Sequence, residues 1–142
     1  MTEDTATRHA TAVAVDGRAL LLLGPSGSGK SALALDLMAL GAGLIADDRV
    51  ALTRREGAVI ASAPPGLPQM IEARGIGLLN ATLAPPAPLV LALDLSEEES
   101  ERLPPLRHIT ILGCGVPLLL RPTRGSLAAG LIQLMRAGRA TP

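Results

Sequence analysis

The chain has no phenylalanine, tyrosine or tryptophan among its 142 residues. With no ring to stack on a base, it lacks the platforms on which single-strand nucleic-acid readers depend. Its core has to be assembled from Leu, Ile, Val, Ala and Met instead. Neither sign of charge is in excess, since 13 basic residues offset 13 acidic ones, so no global positive field draws in a polyanion. A single cysteine, Cys114, excludes an internal disulfide and a cysteine metal cluster. In its apolar run it reads as a small core hydrophobe. No apolar run approaches membrane-spanning length. Residues 1–8 are polar, with Glu3 and Asp4, and lack the basic start and apolar stretch of a signal peptide. These absences predict a cytoplasmic protein that engages neither nucleic acid nor membrane.

What is present is a globular composition, 48% apolar, at a length that suits one domain spanning residues 1–142, with 1–8 as a flexible lead. Lysine occurs once. Twelve of the 13 basic residues are Arg, and the remaining one is Lys30.

Residues 10–15 and 18–23 are β-prone runs flanking Asp16-Gly17, a two-residue hairpin signal. Residues 31–40 carry Leu33, Leu37 and Leu40 at helical spacing, with Gly41 as the stop. A short strand is predicted over 43–46, then a hairpin of 50–53 and 58–61 turning at Arg55-Glu56-Gly57. Residues 63–68 are a Pro/Gly-rich loop that opens into 70–77, where two glycines suggest a tight backbone. Pro85, Pro86 and Pro88 bound a strand over 89–93. Ser96 with Glu99 has the form of a capping box and predicts a short helix over 96–102. Strands at 108–112 and 116–120 and a last helix capped by Ser126 complete the pattern. The expected fold class is α/β, a mixed β-sheet containing a P-loop and flanked by helices.

Gly24, Pro25, Ser26, Gly27, Ser28, Gly29, Lys30 and Ser31 match G-x-x-x-x-G-K-[ST] at every fixed position. A chain of this length meets that pattern by chance on the order of once in a few hundred, and here a strand precedes it and a helix follows, as the motif requires. Gly27 and Gly29 permit a bend that turns successive amides inward toward phosphate oxygens, and the helix amino end adds its partial positive charge. Lys30 supplies a point charge to the outer phosphates, and the Ser31 hydroxyl is a ligand for Mg²⁺. The pattern specifies a nucleotide and does not name what receives the phosphate.

A P-loop enzyme also needs a carboxylate near the metal and, for a kinase, one to take the acceptor's proton. Residues 89–94 form an apolar run ending in Asp94, the outline of a generic Walker B strand. Asp47-Asp48 follows the strand after the P-loop helix, and adjacent carboxylates are costly unless a cation or proton separates them. On residue pattern alone the two stand even.

Three blocks bear on the choice: the P-loop of residues 24–31, Leu44-Ile45-Ala46-Asp47-Asp48-Arg49-Val50, and Ile71-Glu72-Ala73-Arg74-Gly75-Ile76-Gly77. In order and spacing they resemble the signature blocks of HPr kinase/phosphorylase, and the resemblance runs from about His9 to Leu134. It implies a short, catalytic-domain-only form that uses ATP and Mg²⁺ to phosphorylate a serine on the phosphocarrier HPr or a homologue, within phosphotransferase-system control, with reverse phosphorolysis and a homo-oligomer as further family traits. By that resemblance Asp48 is the catalytic acid/base, Asp47 its neighbour on the metal and phosphate side, and Glu72 the metal ligand alongside Ser31. His9 falls where the family has an active-site histidine, Arg102 where it has a catalytic arginine, and Arg124 in the loop tied to dephosphorylation. Residues 74–80 match the block important to both directions, whereas His108 has no counterpart and reads as structural. The chain departs from the pattern at Asn80, at residues 121–125 and in a shortened, Pro/Ala-rich segment before residue 89. These departures bear on the reverse reaction and on hexameric assembly, not on kinase chemistry. Two other readings are a P-loop kinase for a small acceptor and a non-catalytic nucleotide-binding regulator. Labelling of HPr separates all three.

Overall fold

The computed structural model describes residues 4–140. In chain order the elements are β1 (Thr5–Arg8), β2 (Thr11–Val15), β3 (Arg18–Leu23), α1 (Lys30–Ala39), β4 (Gly43–Ala46), β5 (Val50–Arg55) and β6 (Ala58–Ser62). They continue with β7 (Met70–Ala73), β8 (Gly77–Asn80), β9 (Ala87–Glu98), β10 (Arg107–Ile111), β11 (Cys114–Arg121) and α2 (Leu127–Ala137).

Nine strands form one sheet in the order β1-β5-β6-β9-β3-β2-β4, with β11 on β9 and β10 on β11, while β7 and β8 form a separate hairpin. The sheet is mixed, as expected. β3, β9 and β11 run parallel, and β2 is antiparallel to both β3 and β4. It curls, so that its β1-β5-β6 end covers one face of its centre while the helices cover the other. β3 shows the consequence most plainly. Leu20 and Leu22 pack with Leu33, Leu37, Leu131 and Met135 of the helices, whereas Leu21 and Leu23 pack with Ile45, Val50, Leu52 and Val59. A strand buried on both faces needs an unbroken apolar run rather than alternation, and residues 19–23 provide one.

The hairpin turns follow local chemistry. Asp16 and Gly17 have φ of 50° and 75°, both left-handed, which is the two-residue turn whose twist suits antiparallel strands. Glu56-Gly57 and Leu112-Gly113 repeat the pattern, so the second hairpin turns on two residues and β5 extends through Arg55.

Three expectations are corrected. Residues 96–102 are not a helix, because β9 continues to Glu98 and pairs with β11. A capping box would send the Glu99 carboxylate back to the Ser96 amide. Instead the Ser96 amide donates to Asp94 Oδ1 at 2.9 Å, and the Glu99 carboxylate accepts two bonds from Arg107 at 3.1 and 2.9 Å. Tertiary partners thus outcompete the local cap. The lead expected over 1–8 contains β1, paired with β5 from Thr5 opposite Thr53 to Arg8 opposite Val50; Met1, Thr2 and Glu3 lie outside the described residues. Finally, the strand expected over 89–93 is twelve residues long. Among the described residues no helix is long and apolar enough to cross a membrane.

Candidate active site

β4 runs in the same direction as β3, so the carboxyl ends of both meet the amino end of β2 at one edge of the sheet. Ligand sites of α/β sheets form at such strand ends. Residues 24–29 leave β3 at this edge and enter α1, whose amino-cap residue Gly29 has φ of 100°. Gly24, at φ of 143°, is required for a second reason. A Cβ there would stand 2.5 Å from Ser28 Oγ, which is buried and has no hydrogen-bond partner.

Lys30 is only 7% exposed. Its Nζ donates to two main-chain carbonyls, Gly24 O at 2.5 Å and Pro25 O at 3.1 Å, and it forms no ion pair among the described residues. The two carbonyls take two of its three protons, so one N–H and an unpaired positive charge remain available to an anion. The adjoining Ser31 Oγ donates to Asp47 Oδ1 at 2.8 Å. Having given its single proton to a carboxylate, that hydroxyl presents lone pairs to its surroundings.

Asp48, the next residue, is positioned differently. Its φ of 72° is left-handed, a conformation that Asp tolerates better than most residues and that concentrates at functional sites. Ala10 N donates to Asp48 O at 3.2 Å and holds the turn in place. The side chain, 70% exposed, reaches His9 across the strand end, with His9 Nε2 2.8 Å from Asp48 Oδ1.

These groups line a single open cleft of about 850 Å³. His9, Ser26, Gly27, Gly29, Lys30, Ser31, Asp47, Asp48, Glu72 and Arg74 all face it, so the structure brings together four segments separated in the chain. Glu72 and Arg74 come from the β7–β8 hairpin, whose Met70, Ile76 and Leu78 are exposed along the mouth of the cleft. Ser31, Asp47 and Glu72 suit a hard cation, which takes oxygen ligands and completes its shell from phosphates and water. Among the described residues there is no cluster of three His, Cys, Asp or Glu, and a phosphate-bound Mg²⁺ does not need one.

Other residues singled out by sequence fall outside the cleft. Arg102 is exposed on the segment after β9. Arg124 borders a separate cavity of about 170 Å³ beside α2. Asp94 pairs in register with Leu23, next to the loop, but its Oδ1 accepts from Ser96 N at 2.9 Å and Ser96 Oγ at 2.6 Å. His108 is exposed on β10. One cleft residue was missed. Thr11 is wholly buried and its Oγ1 donates to Asp47 Oδ1 at 2.9 Å. The available signal was a hydroxyl in an otherwise apolar strand, directly after His9-Ala10.

A buried parallel strand, a glycine-rich loop and the amino end of a helix, with carboxylates at the adjoining strand end, define the class: an α/β domain with an open cleft at its strand ends. Within that class the chain belongs to the HPr serine kinase C-terminal domain family, whose model matches residues 1–84. It is 38% identical over 131 residues to the HPr kinase/phosphorylase of Caldicellulosiruptor bescii, covering 83% of this chain and 42% of that protein. It is 46% identical over 77 residues to the HPr kinase/phosphorylase of Bordetella petrii, covering 54% and 25%. The chain thus spans less than half the length of these curated relatives. Its fold is similar to the solved structure of the Hpr(Ser) kinase/phosphatase from Coxiella burnetii, with a TM-score of 0.76 and 26% identity, over 92% of this chain and 88% of that one.

Proposed function

We propose that this protein is an ATP-dependent serine kinase acting on HPr or a homologous phosphocarrier, within phosphotransferase-system control of carbon or nitrogen use. The observation that carries the reading is the shared cleft, in which the Lys30 loop and the His9–Asp48 pair lie together. The loop amides and Lys30 hold the triphosphate and stabilise charge on the transferred group. Ser31 and Glu72, with Asp47 behind Ser31, hold Mg²⁺, which would neutralise charge on the phosphates when bound. Asp48 takes the proton of the acceptor seryl hydroxyl as its oxygen bonds to the γ-phosphorus and the bond to ADP breaks. His9 keeps one oxygen of Asp48 engaged, so the carboxylate is aimed before the acceptor arrives. Arg102 does not line the cleft, and no role is assigned to it in these steps. The open mouth with its exposed Met70, Ile76 and Leu78 fits a folded acceptor better than a small molecule, which would be enclosed.

The test is transfer from γ-labelled ATP to purified HPr. Phosphoserine on HPr that disappears with Asp48→Ala, while Mg²⁺-dependent nucleotide binding survives, is the expected result. No labelled HPr, or undiminished labelling by Asp48→Ala, would falsify it.

A further inference from the structure

Among the described residues only three polar residues are buried as a whole: Thr11, Lys30 and Glu99. Lys30 belongs to the loop, and Glu99 is taken up by Arg107. Thr11 is fully buried, and its hydroxyl donates its one proton to Asp47. We infer that Thr11 is a positioning residue for the metal side of the cleft, fixing the Asp47 carboxylate and through it the Ser31 hydroxyl. The inference rests on the nucleotide and Mg²⁺ reading given above.

The geometry is specific about which atoms are involved. Thr11 Oγ1 and Ser31 Oγ both donate to Asp47 Oδ1, at 2.9 and 2.8 Å. One carboxylate oxygen accepts two hydrogen bonds, so this pair fills Oδ1 and leaves Oδ2 for other partners. The terminal torsion of an Asp is broad and roughly two-fold. A single donor therefore leaves the carboxylate free to swing, whereas two donors from different elements, β2 and α1, fix its plane. Thr11 supplies the second donor from the buried side. With the carboxylate fixed, the Ser31 proton stays directed at Asp47 and its lone pairs face the cleft, as a Mg²⁺ ligand requires. Without Thr11, Asp47 can rotate and the Ser31 hydroxyl turns with it. Thr11 thus acts on the cation through Asp47 rather than as a ligand itself, the usual arrangement behind a metal site.

Thr11→Val keeps the shape and removes the proton; Thr11→Ser keeps the proton. Isothermal calorimetry with a non-hydrolysable ATP analogue, with and without Mg²⁺, reads the effect on the intact chain. Thr11→Val is expected to weaken Mg²⁺-dependent affinity about 10- to 100-fold, to leave metal-free nucleotide affinity within about threefold, and to add nothing in an Asp47→Asn background. Thr11→Ser is expected to restore binding, and the thermal midpoint of each variant reports that it is folded. Thr11→Val binding Mg²⁺ and analogue like the wild type overturns the inference, as does Thr11→Ser behaving like Thr11→Val, or a loss that is equal without metal. Wild-type protein that binds no analogue under either condition overturns the nucleotide reading itself, a result distinct from those three.

Discussion

At the end of β4, Asp47 and Asp48 take side-chain hydrogen bonds from His9, Thr11 and Ser31, all of which line the cleft. At the end of β9, Asp94, Glu98 and Glu99 are engaged by Ser96, Arg121 and Arg107, none of which does. Both regions are acidic strand ends on one sheet, and β9 even lies beside the loop strand. What separates them is the partner of each carboxylate. The β9 acids are spent on closing their own strand end. They bind Ser96 back onto the chain and tie β9 to β10 and β11. The β4 acids are bonded to groups that line the cleft. One of them, Asp48, is held in a left-handed conformation, of the kind that concentrates at functional sites.

The largest effect expected from this contrast is on transfer. Asp48→Asn, which keeps the size and the tolerance for left-handed φ, should lower phosphoryl transfer to HPr about 10²- to 10⁴-fold. Asp94→Asn, at the other strand end, should stay within about threefold of the wild type. Initial rates at saturating ATP and HPr measure both. A comparable loss in the two variants would erase the distinction between the regions and return Asp94 to the site.

Much of the β4 region was legible in the sequence. Eight consecutive residues specified the loop, and the strand before it and helix after it followed from apolar spacing. The doubled aspartate at a strand end suggested a site because two adjacent carboxylates need a reason, but residue pattern left it even with Asp94 and only the family resemblance favoured it. The β9 region misled for an equally physical reason. Ser96 and Glu99 carry a valid local signal for a helix, but Arg107 and Arg121 arrive from β10 and β11, and no local window contains them. Thr11 was missed in the same way, since its meaning depends on Asp47, 36 residues further on. Local chemistry was readable where the site is contiguous, and unreadable where a distant partner decides which of two local options wins.

A second measurement, smaller in size, sets the two strand ends against each other in stability. Asp94→Ala removes an acceptor shared by the Ser96 amide and hydroxyl, and should cost about 1 kcal/mol, the usual net value of such bonds at a partly exposed position. Asp48→Gly should cost nothing and can raise stability by up to about 1 kcal/mol, because glycine meets no penalty at φ of 72°. Urea unfolding at neutral pH gives both numbers. Changes of the same sign would mean that Asp48 is part of the framework, in conflict with its assigned role.

The smallest expected effect concerns pH, and it isolates Glu99. The Arg107 guanidinium, hydrogen-bonded to this carboxyl, holds it below the ordinary carboxylate range, with burial working in the opposite direction and losing. A carboxyl lowered in the folded state contributes stability above its unfolded value, about 4.3, and that contribution fades as pH falls through the folded value. Arg107 is raised by the same bond, but it stays protonated at any pH below about 12, so it adds no slope in the acid range. Thermal midpoints of the wild type should therefore drop below about pH 4.3 more steeply than those of Glu99→Gln, the two curves converging toward low pH. Arg107→Met should behave differently from either. It leaves the burial of Glu99 without its compensating cation, so destabilisation appears at neutral pH, where the carboxylate is charged, and eases on acidification. If Glu99→Gln keeps the wild-type acid slope, the Glu99–Arg107 bond does not hold the β9 end closed, and the division between a framework strand end and a working one loses its clearest example.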